Sequence, residues 1–142
     1  MREIKFRGYD SFSQKWVYGY GLHQSIFIDG SSNAYITAGT REVFIVDKES
    51  AGQYTGCKDA NGNEIYEGDI VRRPAFVDKD CYCKVSKLFG YIEMNSYAWC
   101  VVNKYKNKKY LSPLFIEEEV GELENIEVIG NIYENKELLE VE

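Results

Sequence analysis

Along most of the chain, apolar residues recur at every second position in short runs separated by turn formers, which is the period of half-buried β-strands. Ile4 and Phe6 alternate with Lys5 and Arg7, and Tyr9-Asp10-Ser11 then turns the chain. Beyond the turn, Trp16, Tyr18 and Tyr20 share one face opposite Val17 and Gly19. The two runs predict an antiparallel hairpin, with the aromatic row serving core or cross-strand packing. Ile26-Phe27-Ile28, Tyr35-Ile36-Thr37 and Val43-Phe44-Ile45-Val46 predict three more strands, the first two parted by Asp29-Gly30-Ser31-Ser32-Asn33.

Turn chemistry is densest between Gln53 and Val71, where three short strands and two reversals are written. Asn61-Gly62 predicts a type I′ hairpin turn, because both central residues of that turn need positive φ. Gly68-Asp69 predicts a second reversal, after which Ile70, Val71, Arg72 and Arg73 extend to Pro74. Asn61, Gly62, Gly68 and Asp69 are therefore read as structural turn residues. Asp59, Asn61, Asn63 and Glu64 also offer oxygen atoms for a calcium ion, but Gly62 falls too early for an EF-hand loop and the flanks read as strands.

Further on, Asp78, Lys79 and Asp80 predict a polar loop before a strand at Cys81-Tyr82-Cys83-Lys84-Val85. Phe89 to Met94 and Tyr97 to Val102 flank Asn95-Ser96 as strand, turn and strand. Leu111 to Ile116, interrupted by Pro113, reads as an edge or irregular segment, and Glu117-Glu118-Glu119 with Leu123 as the start of a helical turn. Ile126 to Tyr133 carries apolar side chains on both faces and predicts a late strand buried on both sides. Asn135 is placed to cap a short terminal turn through Leu138 and Leu139.

Three strings carry a family resemblance. Gln53 to Val71 resembles the signature of the YopX family of phage and prophage proteins, Met1-Arg2-Glu3-Ile4-Lys5-Phe6-Arg7 resembles that family's start, and Val128-Ile129-Gly130-Asn131-Ile132-Tyr133-Glu134-Asn135 with Glu137-Leu138-Leu139 resembles its end. Cys57 stands where an apolar residue is common in the family, and Lys136 where Pro is common. The resemblance implies a mainly β, multi-sheet antiparallel structure with mixed sandwich and barrel features, to which the sequence adds the short C-terminal helical turn. The family's biochemical activity is unassigned, so the resemblance brings no catalytic residue.

Composition narrows the class. A chain of 142 residues suits one domain spanning residues 1–142, and 44% apolar content with 12 Tyr argues against disorder. No apolar run follows Met1 and none is long enough to span a bilayer, so a soluble protein in the cytoplasm of the bacterial host is expected, without membrane partners. The net charge of −6 is uneven: residues 117–142 hold ten Glu and one Lys. That acidic end reads as a solvated face.

Chemistry is sparse. Four cysteines match the ligand count of a structural zinc site, yet Cys81 and Cys83 form a C-x-C pair within an apparent strand while Cys57 and Cys100 stand singly, so free thiols are expected and no metal or cofactor is assigned. His23 is the single histidine and reads as structural or exposed. Walker, G-x-S-x-G, H-E-x-x-H and dinucleotide motifs are absent, and the protein is read as no enzyme. The leading expectation is a non-enzymatic accessory protein acting through protein contacts, as a homo-oligomer with a protein partner unknown. The alternative is a nucleic-acid-binding module using the basic tip Lys104, Tyr105, Lys106, Lys108, Lys109 and Tyr110, joined by Trp16 and Tyr18. A small metal- or carboxylate-dependent enzyme, or one using Cys81 and Cys83, ranks third.

Overall fold

The period-two runs become strands throughout the residues that the computed structural model describes, namely 3–74, 87–95, 98–105, 108–114 and 126–139, with side chains described except at 73, 74, 87, 88 and 103–113. The chain is mainly β, built of several antiparallel sheets, one of them curled as a half-barrel, and its helical content is short 3-10 turns. Among the described residues no helix is long and apolar enough to cross a membrane. The strand expected at 81–85 and the helical turn expected from Glu117 lie outside the described residues. Packing divides the chain into two units, Met1–Gly56 and Cys57–Glu142.

The first unit holds β1 (Phe6–Asp10), β2 (Lys15–Gly19), β3 (Gly21–Ile26), β4 (Ser32–Thr37), β5 (Val43–Val46), a 3-10 turn at Lys48–Ser50 and most of β6 (Gly52–Lys58). β1 and β2 form the expected hairpin, with Tyr9 opposite Trp16 and Arg7 opposite Tyr18. β6 takes β1's other edge, pairing Phe6 with Gln53. β3, β4 and β5 form a separate antiparallel sheet in that order. Its inner row of Ala34, Ile36 and Val46 is buried and is joined by Phe6, Val17 and Phe44.

Two glycines let these layers meet. A Cβ on Gly8 would lie 2.6 Å from Val46 Cγ2. One on Gly19 would overlap the Thr37 carbonyl oxygen and lie 2.6 Å from Ile36 Cγ2. The 3-10 turn ties the ends together: Ser50 Oγ donates to the Asp47 carbonyl at 2.6 Å and accepts the Tyr9 N–H at 2.7 Å, while the Asp47 N–H returns to the Tyr9 carbonyl.

Two details differ from the sequence pattern. Arg7, expected on a solvated face, is buried because its guanidinium lies 4.8 Å from the Trp16 ring centroid, and Trp16 in turn meets Tyr9 edge-on at 5.5 Å. The third strand begins at Gly21 and ends at Ile26, so Phe27 and Ile28 fall in the following turn, closed by the Phe27 N–H to the Ser31 carbonyl.

The second unit continues with the end of β6, its sheet neighbour β7 (Glu64–Tyr66), β8 (Asp69–Pro74), β9 (Lys87–Asn95), β10 (Ala98–Tyr105), β11 (Lys108–Pro113), β12 (Glu127–Asn131) and a 3-10 turn at Lys136–Leu139. Its five-stranded sheet runs β11-β10-β9-β8-β12. Pro113 accordingly ends an edge strand, where its missing N–H costs least. Cys57, Ile65, Val71, Ile92, Trp99, Val101, Leu114 and Ile126 make the core, with Val128 against it. β12 was expected to be buried on both faces; it is half-buried along its length because it occupies the sheet edge, with a bulge between Val128 and Gly130. Arg72 and Glu127 pair across β8 and β12.

Gly19→Ala is expected to destabilise the protein by about 1–3 kcal/mol, because the added methyl must displace the backbone of β4. Urea unfolding checks this, with Gly39→Ala, whose Cβ would meet nothing closer than 3.8 Å, as the mild control.

Candidate functional site

The stretch with the strongest signature is organised by one carboxylate. Asp59 follows β6 directly, and its side chain is fully buried at 0% exposure. Its Oδ1 accepts the N–H groups of Asn61 at 2.9 Å and Asn63 at 2.8 Å, while Oδ2 accepts the Val128 N–H at 2.9 Å and the Asn63 Nδ2 at 3.3 Å. The Asp59 backbone adds a bond to the Asn63 carbonyl, and the Ala60 N–H donates to the Ile126 carbonyl. Burial pushes the Asp59 carboxyl up, but these donors together outweigh it and hold the group below the usual carboxylate range.

This geometry corrects the turn. The Gly62 N–H closes on the Asp59 carbonyl, Gly62 alone adopts positive φ at +80°, and Asn61 does not enter the left-handed region. The hairpin is therefore a type I turn completed by a glycine bulge, and not type I′. Of the side chains weighed as calcium ligands, three have other partners: Asp59 accepts the donors above, Asn63 donates to Asp59, and Glu64 accepts from the Tyr66 hydroxyl at 3.1 Å.

Gly68 and Asp69 repeat the strategy. Gly68 has φ +88°, its N–H donates to the Ile92 carbonyl and its carbonyl accepts from Ile132. Asp69, also buried, accepts the Tyr66 N–H at 2.7 Å. Beside it Glu67 moves the opposite way, its carboxyl raised by burial first and by the nearby Glu93 second. The terminal string is a turn as well: Asn131 Oδ1 accepts the N–H groups of Tyr133 and Glu134 at 3.1 and 2.8 Å. Asn135 Oδ1 reaches back to the Asn131 N–H at 3.2 Å, so Asn135 closes the preceding turn with its side chain and offers its carbonyl to Leu138. Gly130 leaves room for it, since a Cβ there would lie 2.6 Å from Asn135 Oδ1.

The basic residues fall on one hairpin. Lys104 stands opposite Lys109, Tyr105 opposite Lys108 and Asn103 opposite Tyr110 in the β10–β11 register. Lys106 and the side chains of the other five lie outside the described residues. Trp16 is committed to Arg7 and Tyr9, whereas Tyr18 and Tyr20 are exposed. Cys57 is buried in the apolar core and Cys100 is half-buried, neither of them in a disulfide; Cys81 and Cys83 lie outside the described residues. Among the described residues no three His, Cys, Asp or Glu side chains gather as a metal site.

Sequence reasoning missed a surface on the first unit. None of the residues of β3, β4 or β5 is Asp, Glu, Lys or Arg. The register places Tyr35 between His23 and Ile45, and Thr37 between Gly21 and Val43, on the face opposite the buried row. Val43 and Ile45 are 54% and 50% exposed, and the His23 ring lies 5.6 Å from the Tyr35 ring. β3 ends the sheet, and every residue from Leu22 to Ile26 is exposed, Ile26 at 75%. A signal was present: Val17 to Ile28 and Gly30 to Thr40 contain no charged residue.

The sequence model of a family described as YopX protein matches residues 5–140. Among solved structures, protein EF1440 from Enterococcus faecalis is similar at 21% identity over 96% of this chain and 97% of that one, with a TM-score of 0.41. No curated protein matches the chain.

Asp59→Ala leaves its N–H donors without their acceptor and is expected to cost roughly 2–4 kcal/mol. Because the folded carboxyl is held low, its stabilisation is complete above the unfolded value near pH 4 and is lost as pH falls through the folded one. Asp59→Asn should therefore be less stable than wild type near neutral pH and show a smaller loss on acidification, as measured by urea unfolding across the acid range.

Proposed function

The chain belongs to the YopX family, and from that premise we propose that it is a phage or prophage accessory protein of the bacterial cytoplasm, acting as a non-enzymatic protein-interaction module through the sheet β3-β4-β5. The observation that carries this reading is the exposure of Val43, Ile45 and Ile26 on a sheet without a charged strand residue. Interface centres are depleted of charge in the same way. Unpartnered edge strands, by contrast, are ordinarily protected by lysine, proline or a bulge, and β3 has none of these. The two fully buried carboxylates support the non-enzymatic part, since Asp59 accepts backbone N–H groups with both oxygens and Asp69 accepts one with Oδ2.

A second reading, nucleic-acid binding by the basic tip, is favoured by the register that sets Lys104 against Lys109 and Tyr105 against Lys108 at one hairpin end. Lysines so placed can track phosphates while tyrosines stack on bases.

Capture from prophage-bearing cells tests the first reading, with tagged wild type compared with Val43→Lys/Ile45→Lys, both treated with nuclease. A partner retained by wild type and lost by the equally folded variant is expected; equal capture by both, or capture that nuclease abolishes, would contradict it. The second reading predicts a mobility shift of single-stranded nucleic acid at low salt that weakens steeply as salt rises and disappears in Lys104→Glu/Lys109→Glu. No shift by wild type would end it.

A further inference from the structure

The partner of the uncharged sheet is identified by the symmetry of its edge. We propose that β3 pairs antiparallel with β3 of a second copy of this chain about a two-fold axis at Gln24, joining the two three-stranded sheets into one. The proposal rests on the protein-interaction reading above and names the occupant of the β3 edge, not of the face that carries Val43 and Ile45.

Backbone supply comes first. β3 is paired on one side by β4 over its full length, from Gly21 opposite Thr37 to Ile26 opposite Ser32. Among the described residues no strand pairs with its other side. An antiparallel edge leaves N–H and C=O groups of alternate residues pointing outward, so a second strand of equal length can be added without rearrangement.

Symmetry then fixes the register. Two copies related by a two-fold axis across antiparallel strands must set one residue opposite itself, and directly opposed residues share a face. Centring on Gln24 sets Leu22 opposite Ile26 of the second copy, and the same contact recurs on the other side of the axis. Leu22 and Ile26 are both exposed apolar side chains, and they are spaced evenly about Gln24. A centre at His23 would set Leu22 against Gln24, and one at Ser25 would set Ile26 against Gln24; neither sets Leu22 opposite Ile26 within the strand.

Charge selects a copy of this chain as the occupant. Two molecules of net charge −6 repel each other, and among the described strands the approach that brings no strand charge into contact is along β3-β4-β5. A strongly basic partner would instead be expected to meet acidic side chains, and β3 offers it none.

Sedimentation across the micromolar range tests this with wild type and two variants at exposed positions, Leu22→Lys/Ile26→Lys and Leu22→Lys/Ile26→Glu. Wild type should dimerise. The double-lysine variant, which sets Lys against Lys twice, should dissociate at least roughly tenfold more readily. The lysine–glutamate variant, which sets Lys against Glu twice across the axis, should recover the dimer at low salt. A monomeric wild type overturns the proposal, as do two variants that both dimerise like wild type or both stay monomeric. A monomer that still captures a partner in the nuclease-treated experiment fails this proposal while leaving the broader reading intact.

Discussion

A buried carboxylate is tolerated only where donors fill its lone pairs, and Asp59 imposes that condition on the second unit. Its two oxygens gather the N–H groups of Asn61, Asn63 and Val128 together with the Asn63 amide. The turn must therefore curl tightly enough to aim two of its own N–H groups inward, which a type I turn with Gly62 in the left-handed region achieves. The chain near residue 128 must return to the hairpin tip, and Ala60 to Ile126 makes a second tie there. The Asp59 side chain thus adds to the β8–β12 pairing in holding the middle of the sequence to its end, and Ile126 and Val128 on either side of that contact join the apolar core with Ile65 and Val71.

The local turns were legible because each rests on nearby residues. Gly68 and Asp69 do what their types predict, and the strands of the first hairpin and of residues 52–74 fall where the period of two placed them. The errors arise where packing and buried polar groups override the local preference. Asn61-Gly62 suits a two-residue turn in isolation, but Asp59 is buried and needs donors, so the longer turn is adopted. Arg7 looks solvated by alternation, but Trp16, opposite Tyr9 in the hairpin, brings its ring against the guanidinium. Asn135 looks like a cap for the turn that follows, yet the absence of a side chain at Gly130 lets it fold back on Asn131.

The candidate surface was not read from the pattern for a related reason. Alternation in β3 to β5 reports a sheet with one buried face, and it is silent about whether the second face and the edge are covered. Exposure of Ile26 on one side and of Val43 and Ile45 on the other becomes meaningful only once β3 and β5 are known to end their sheet. The length of charge-free sequence from Val17 to Ile28 was the available clue, since solvated strands usually carry charge. The central and terminal signature strings, by contrast, resolve into turns whose polar atoms bind backbone, so their residues build the fold.

Amide hydrogen exchange, followed residue by residue in dilute and concentrated protein, separates the structural signature from the interaction surface most directly. The account predicts that concentration slows exchange in Leu22 to Ile26 while leaving the already protected amides of Asn63 and Val128 unchanged. Concentration-dependent protection at residues 59–63 without any at β3, or none anywhere, would contradict it.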